Sequence, residues 1–237
     1  IPGNSRFDTP NNGSGVTVYV IDTGVSDPRG KVFHGRLRPG KSFYPPQTTD
    51  TDDLDNHGTP VAGVIGSRLR GVAREVYIVP IRVWSHGGSA CSIAAGVDYV
   101  RRNAALPAVA NISLAVGFSR CLNDVVSAAI RARVSCVVAA GDTNSSSVSA
   151  ISPASVTEAI TVTASTQADL RLPGANIGNL VDFLSPGVNI SSFHSSGMPG
   201  HGFYATSIAT GFVTGSAAVY LSAYPNALPS QVHAALV

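Results

Sequence analysis

Charge is scarce in this chain. Asp, Glu, Lys and Arg make up 13% of its 237 residues, 16 basic against 14 acidic side chains leave a net charge of +2, and no basic run is longer than the Arg101–Arg102 pair. A nucleic-acid-binding surface needs clustered positive charge, so that class is excluded. Long apolar runs are missing too. The least polar stretch, Ile208 to Leu221, falls short of the roughly 20 residues that span a bilayer. Its Gly211 and Gly215, in GxxxG spacing, therefore read as part of a buried helix in a globular core rather than a membrane seam. No charged-then-apolar leader precedes Ile1, so a targeting segment is expected to have been removed or never included. Cysteine is sparse: Cys91, Cys121 and Cys136 allow three single pairings. Cys136 sits inside "VSCVVAAG" and reads as a small buried hydrophobe. Cys91 and Cys121 lie next to loop signals and are the better pair for an oxidising, extracellular setting, with three free thiols as the alternative.

What is present is material for one large core. The chain is 44% hydrophobic, and its 24 Gly and 15 Pro punctuate it regularly, so a single domain over 1–237 is the default. Apolar runs of strand length recur at Val16–Ile21, Val76–Val83, Val109–Leu114, Val134–Ala140, Ile160–Thr163 and Leu180–Leu184. Helical periodicity is clearest in Ser92–Arg102 and Leu122–Arg133, each preceding a new strand. This alternation predicts an α/β fold, a mostly parallel sheet with helices on both faces. Pro45–Pro46 and the acidic run Asp50–Asp55 read as a surface loop.

In such sheets the reactive groups collect beyond the carboxyl ends of the strands. Asp22 ends "VTVYVID", Asp142 follows "CVVAAG", and "SLAVG" at 113–117 ends a third strand. Amide hydrolysis needs an activated nucleophile, a base, a group that orients the base, and donors for the oxyanion. A Ser–His–Asp set supplies the first three. His57, in "DNHGTPVAG", opens an apolar segment that reads as a helix. Ser207, in "YATSIATG", opens another, where free backbone N–H groups favour developing negative charge. Asp22 is placed to orient an imidazole. Each alone is weak: a strand-end Asp is commonly a turn residue and a helix-opening Ser a cap. The combination is stronger.

"YVIDTGV" around Asp22, "NHGTPVAG" around His57, "NISL" at 111–114, "VVAAG" at 137–141, "SPAS" at 152–155, "LVDFLSPG" at 180–187 and "ATSIATG" at 205–211 together resemble the subtilisin-like serine proteases, most of all the proteinase K branch. The motifs stand in the family's order, Asp then His then Ser. The resemblance runs from about Val16 to Tyr224 and implies the subtilisin-like three-layer fold. It also implies that Ser207 is the nucleophile, His57 the general base and then acid, and Asp22 its orienter. An extended polypeptide substrate is then held as an added strand between the backbone of Gly87, Gly88 and Ser89 and that of Ser113, Leu114 and Ala115. The primary pocket is walled by 113–116 and by Ala139, Ala140 and Gly141. Asp182, with the carbonyls of Thr157 and Ala159, matches a position where relatives bind a stabilising calcium ion; an Asp making local hydrogen bonds is the other reading. No cofactor is expected for catalysis.

Several positions depart from the family pattern. Asp142 stands where an Asn usually donates to the oxyanion, although some prohormone convertases of the superfamily carry Asp there and are proteases. An ionised Asp142 repels the intermediate and a protonated one donates to it; burial and the charge of His57 pull in opposite directions. Ala205 replaces a Gly, Ile208 a Met, Gly211 a Pro, Ala115 a Gly and Pro60 a His. His34, His86, His194, His201 and His233 read as surface or loop residues, His86 alone near the substrate strand. Of the sequons at Asn12, Asn111, Asn144 and Asn189, Asn111 falls in a core strand. The resemblance further implies secretion, a monomer, and maturation from a precursor with Ile1 as a processed N-terminus. A retained pro-segment or a protein inhibitor is a further partner, and the end inside "LPSQVHAALV" is compatible with truncation. A pseudoprotease that keeps the peptide-binding groove is the main rival reading, and an esterase or acyl-transfer enzyme a third.

Overall fold

The computed structural model describes residues 11–45, 48–145 and 147–237; Ile1 and Pro46 lie outside them. In chain order the strands are β1 Thr17–Asp22, β2 Lys41–Ser42, β3 Tyr77–Arg82, β4 Ala108–Ile112, β5 Val116–Gly117, β6 Val134–Ala139, β7 Ile151–Ser152, β8 Ile160–Ser165, β9 Phe183–Pro186, β10 Ile190–Phe193 and β11 Pro199–Phe203. The helices are α1 Gly58–Gly66, α2 Ala90–Asn103, α3 Arg120–Arg131, α4 Thr206–Ala223 and α5 Pro229–Leu236. Seven strands form one sheet in the order β2-β3-β1-β4-β6-β8-β9, with every pairing parallel. The pairs β10–β11 and β5–β7 are antiparallel.

Side-chain alternation along the strands assigns each face. Val18 and Val20 of β1, Val109 of β4 and Val137 of β6 pack with Val61, Ile65, Ala209 and Val213 of α1 and α4. Their neighbours Tyr19, Ile21, Ala110 and Val138 pack with Ile93, Val97, Leu122 and Val126 of α2 and α3. A strand buried on both faces reads as a continuous apolar run, which is why these strands were legible. The same period of two puts Asp22 and Asn111 on the α1 and α4 face. Caps fix two helix starts on the opposite face: Ser89 Oγ accepts from Ser92 N at 3.2 Å and Ser119 Oγ from Leu122 N at 3.4 Å.

The helix expected over Ile208–Leu221 is α4, and its two glycines are its contact line. A Cβ at Gly211 would lie 3.3 Å from Val61 O and from Val64 Cγ1, and one at Gly215 only 2.6 Å from Val72 Cβ. The spacing thus serves close packing of α4 inside a core. No helix among the described residues is long and apolar enough to cross a membrane.

Three expectations need correction. β9 starts at Phe183 instead of Leu180, because Leu180 and Val181 pack with Ala140, Val148 and Ala154 in a separate small cluster. Cys91 and Cys121 are exposed free thiols in the first turns of α2 and α3, so the favoured pairing is not formed. Cys136 is buried as expected, and burial pushes its thiol up to about 12. Asp53, inside the run assigned to a surface loop, is buried. Its carboxylate accepts from Thr59 N at 2.8 Å and thereby caps α1.

Gly215→Val should lower stability by about 1–3 kcal/mol through overpacking against Val72. Gly117→Ala, which meets nothing within 4 Å, should stay within about 0.5 kcal/mol of the parent. Urea-unfolding midpoints of the two variants check the contrast.

Candidate active site

The loop after β1 turns back at once onto the start of α1. Gly24 adopts φ +112°, and a Cβ there would meet Thr51 O at 2.4 Å, so the chain passes where no side chain fits. Thr23 Oγ1 donates to Asp53 Oδ1 at 2.7 Å and accepts from Gly58 N at 2.9 Å, clamping the β1 loop to the helix. Pro60 falls in the first turn of α1, where a missing N–H costs no helical bond. The backbone around His57 is therefore fixed before its side chain has any partner.

Asp22 has no solvent exposure. Its Oδ1 accepts from Thr23 N at 2.7 Å and lies 2.6 Å from His57 Nδ1, while Oδ2 has no hydrogen-bond partner. The Asp22 charge, opposed by burial and assisted by the hydrogen bond and by Asp53 and Asp142, raises the His57 imidazole from the ordinary 6.5 to about 9. His57 keeps 37% of its side chain exposed, so its other nitrogen is accessible to substrate.

Ser207 is 7% exposed in the first turn of α4. Its Oγ donates to Ser113 O at 3.1 Å rather than to His57. A second layer supports this contact: Thr214 Oγ1 donates to Asn111 Oδ1 at 2.8 Å, Asn111 Nδ2 to Ser113 Oγ at 2.9 Å, and Ser113 Oγ to Ser207 O at 3.0 Å. Asn111 is fully buried, so its sequon is closed to modification. Ala205, ahead of the helix, has φ 170°, an extended backbone in which the methyl group causes no strain.

Asp142 is exposed rather than buried, so one of the two influences weighed for it from the sequence does not operate. It caps α4: Thr206 N donates to Oδ1 at 3.1 Å and to Oδ2 at 3.3 Å, and Thr206 Oγ1 donates to Oδ2 at 2.8 Å. In this arrangement both carboxyl oxygens act as acceptors. Asn176, buried and absent from the sequence reading, shapes the same loop. Its Oδ1 accepts from Thr143 N at 3.1 Å, Thr143 Oγ1 at 3.0 Å and Ser145 N at 2.7 Å, and its Nδ2 donates to Ala140 O at 2.8 Å. Nothing in "RLPGANIG" signals this; only the loop's return to β6 reveals it.

A cleft of about 350 Å³ runs beside His57, with Trp84, His86 and Gly87 on one side and Leu114 and Ala115 on the other; Thr23 and Asp55 also line it. The two segments read as substrate-binding thus contribute Gly87, Leu114 and Ala115. Gly88 packs under the Trp84 ring, which a Cβ would meet at 2.2 Å, and Ser89 is used as the α2 cap. Ala139, Ala140 and Gly141 are buried, and a Cβ at Gly141 would lie 2.9 Å from Ala115 Cβ.

Asp182 is engaged by protein groups. Thr161 N donates to Oδ2 at 2.8 Å, and His233 Nε2 lies 3.1 Å from Oδ1 without making a hydrogen bond. No group of three or more His, Cys, Asp or Glu side chains gathers among the described residues. A calcium ion here would draw on the Asp182 carboxylate and the carbonyls of Thr157 and Ala159, and one oxygen of that carboxylate is already taken by Thr161 N. His194 and His233 are half-buried rather than surface residues, His194 Nδ1 lying 2.9 Å from Asn56 Nδ2.

A seven-stranded parallel sheet with an Asp, a His-led helix and a Ser-led helix at its carboxyl edge defines a class, and comparison with known proteins supplies the family. The subtilase (peptidase S8) family model matches residues 13–237, and the chain belongs to that family. It is 42% identical over its whole length to an extracellular serine proteinase of Thermus sp. (strain Rt41A), covering 58% of that protein. It is 40% identical to alkaline serine exoprotease A of Vibrio alginolyticus, covering 44% of it. The chain spans about half the length of these curated relatives. A crystal structure of a cold-adapted subtilisin-like serine proteinase superposes with a TM-score of 0.94 at 38% identity, over 99% of this chain and 85% of that one.

Titration of His57 by imidazole NMR should give a value of about 9. Asp22→Asn should lower it most, and Asp53→Asn and Asp142→Asn should each lower it less, because every substitution removes a negative charge that favours the imidazolium.

Proposed function

We propose that the chain is a secreted serine endopeptidase acting on polypeptides through Ser207, His57 and Asp22. The observation that carries this reading is the Asp22–His57 contact of 2.6 Å at a carboxylate with no exposure. It fixes the imidazole so that Nδ1 faces the acid and Nε2 is left for a hydroxyl. In the proposed reaction Ser207 Oγ leaves Ser113 O, passes its proton to His57 Nε2 and attacks the carbonyl carbon. His57 then returns the proton to the leaving amine, and water repeats the sequence to release the acyl group. The Ser207 backbone N–H, at the α4 N-terminus, faces the developing oxyanion.

Two consequences follow from the charges. Only neutral His57 accepts the proton, so turnover should climb about tenfold per pH unit below about 9 and level off above it. Asp142 contributes no donor to the oxyanion and adds repulsion, so the enzyme is slow. The relatives named extracellular and alkaline are in keeping with a secreted, alkaline-active protein. Maturation from a precursor, a bound pro-segment and a monomeric state belong to the same proposal.

The acceptor-only geometry of Asp142 favours one rival, a groove-retaining pseudoprotease. Intact-mass analysis after fluorophosphonate treatment separates the two. The proposal expects a single adduct on the parent and none on Ser207→Ala; a folded parent that stays unlabelled from mildly acidic to alkaline pH establishes the rival. Asp142→Asn, which restores an amide donor, should raise amide turnover about 100- to 1,000-fold.

A further inference from the structure

Asp55 is an acid in the cleft that pairs with no Lys or Arg among the described residues. It is 15% exposed and faces a space walled by Trp84, Leu114 and Ala115. The titratable groups that share the cleft are His57 and His86, and no Lys or Arg lines it. Among the described residues the Asp55 charge is covered by His86 alone: the His86 backbone N–H donates to both carboxylate oxygens, at 3.2 and 3.1 Å, and Nδ1 lies 2.9 Å from Oδ1. His86 has little else to hold its side chain, which is 78% exposed. Its backbone sits at φ +50°, followed by Gly87 at +136°, an uncommon pair of left-handed residues that folds the imidazole back onto the acid.

We infer that this cleft is a subsite for a basic substrate side chain, with Asp55 as its specificity-determining charge and His86 as a displaceable cover. The inference rests on the proposed endopeptidase reading only for its orientation. With the residue before the scissile bond held by 113–116 and 139–141, the space between 84–87 and 114–115 receives a residue further upstream. A lysine or arginine suits it chemically: the aliphatic stem lies along Leu114 and the Trp84 ring, where a cation is also attracted to the aromatic face, and the charged head reaches the carboxylate. A neutral side chain of the same length leaves Asp55 paired with His86 and gains only the apolar contact.

The experiment uses fluorogenic peptides with arginine placed in turn at each position upstream of the scissile bond, each paired with the citrulline peptide, a neutral near-isostere. At one position the parent should prefer arginine by about 10- to 100-fold in kcat/KM, the range of a hydrogen bond to a charged partner. Asp55→Asn should erase the ratio, and His86→Ala should keep or enlarge it by uncovering the acid. Equal rates for arginine and citrulline at every position overturn the inference, as does a preference that survives Asp55→Asn or disappears in His86→Ala. The same peptide pairs bound to Ser207→Ala, read by fluorescence anisotropy, report the subsite without hydrolysis. A protein that fails fluorophosphonate labelling yet binds arginine peptides in an Asp55-dependent way sinks the protease reading and keeps this one.

Discussion

A carboxylate without solvent at the end of a buried strand constrains everything around it. Taking a charge out of water costs several kcal/mol unless protein groups replace the hydration, and Asp22 receives two such groups, both on one oxygen. One is the next peptide N–H, available from the turn itself. The other must arrive from α1, which is why so much nearby chemistry fixes the start of that helix. Asp53 caps it, Thr23 ties Asp53 to Gly58, and Gly58 has no room for a side chain between Gly24 O at 2.1 Å and Asp22 Oδ1 at 3.1 Å. Stability and the placement of the imidazole are therefore one requirement.

The N-terminus of α4 follows the same logic with a different outcome. A helix start carries unsatisfied donors and partial positive charge, which attracts any anion within reach. Asp142 has taken the first of these donors through Thr206, and it leaves the second turn of the problem, the region of Ser207, to whatever anion forms there. An asparagine Oδ1 accepts from Thr206 as well as a carboxylate does. Capping alone does not require the charge; what the charge adds is attraction to the helix end and to an imidazolium at 57.

The sheet and both faces of helices were legible because parallel strands buried on two sides spell continuous apolar runs, and because α2 and α3 carry clear periodicity. Asp22, His57 and Ser207 were legible as junction residues in ordered motifs. Less visible were contacts made across long sequence separations by residues with no local signal. Asn176 reaches back to the loop at 140–145, and Asn111 reached the reading only as part of a motif and an unusable sequon. Asp53 was lost in a run of acids, since local polarity says nothing of a side chain that turns inward to cap a helix. The Cys91–Cys121 pairing failed for a related reason: loop proximity in sequence does not set the distance between the starts of two helices.

Asp142 acts on both halves of the proposed reaction. Through the helix it holds Ser207's first turn, and through space it helps to keep a proton on His57, together with Asp22 and Asp53. These neighbours raise the His57 imidazole to about 9, and the serine hydroxyl is turned toward Ser113 O rather than toward it. Three acids act on one imidazole, so the arrangement favours the protonated base over the neutral one that the proposed reaction needs. Raising the pH frees the imidazole but leaves its neighbours' negative charge without a counterpart, beside the place where an oxyanion has to form. In the proposed reaction such a site gains a strong base and loses anion stabilisation through the same side chain, which is why that proposal expects slow turnover, set by electrostatics already present before substrate arrives.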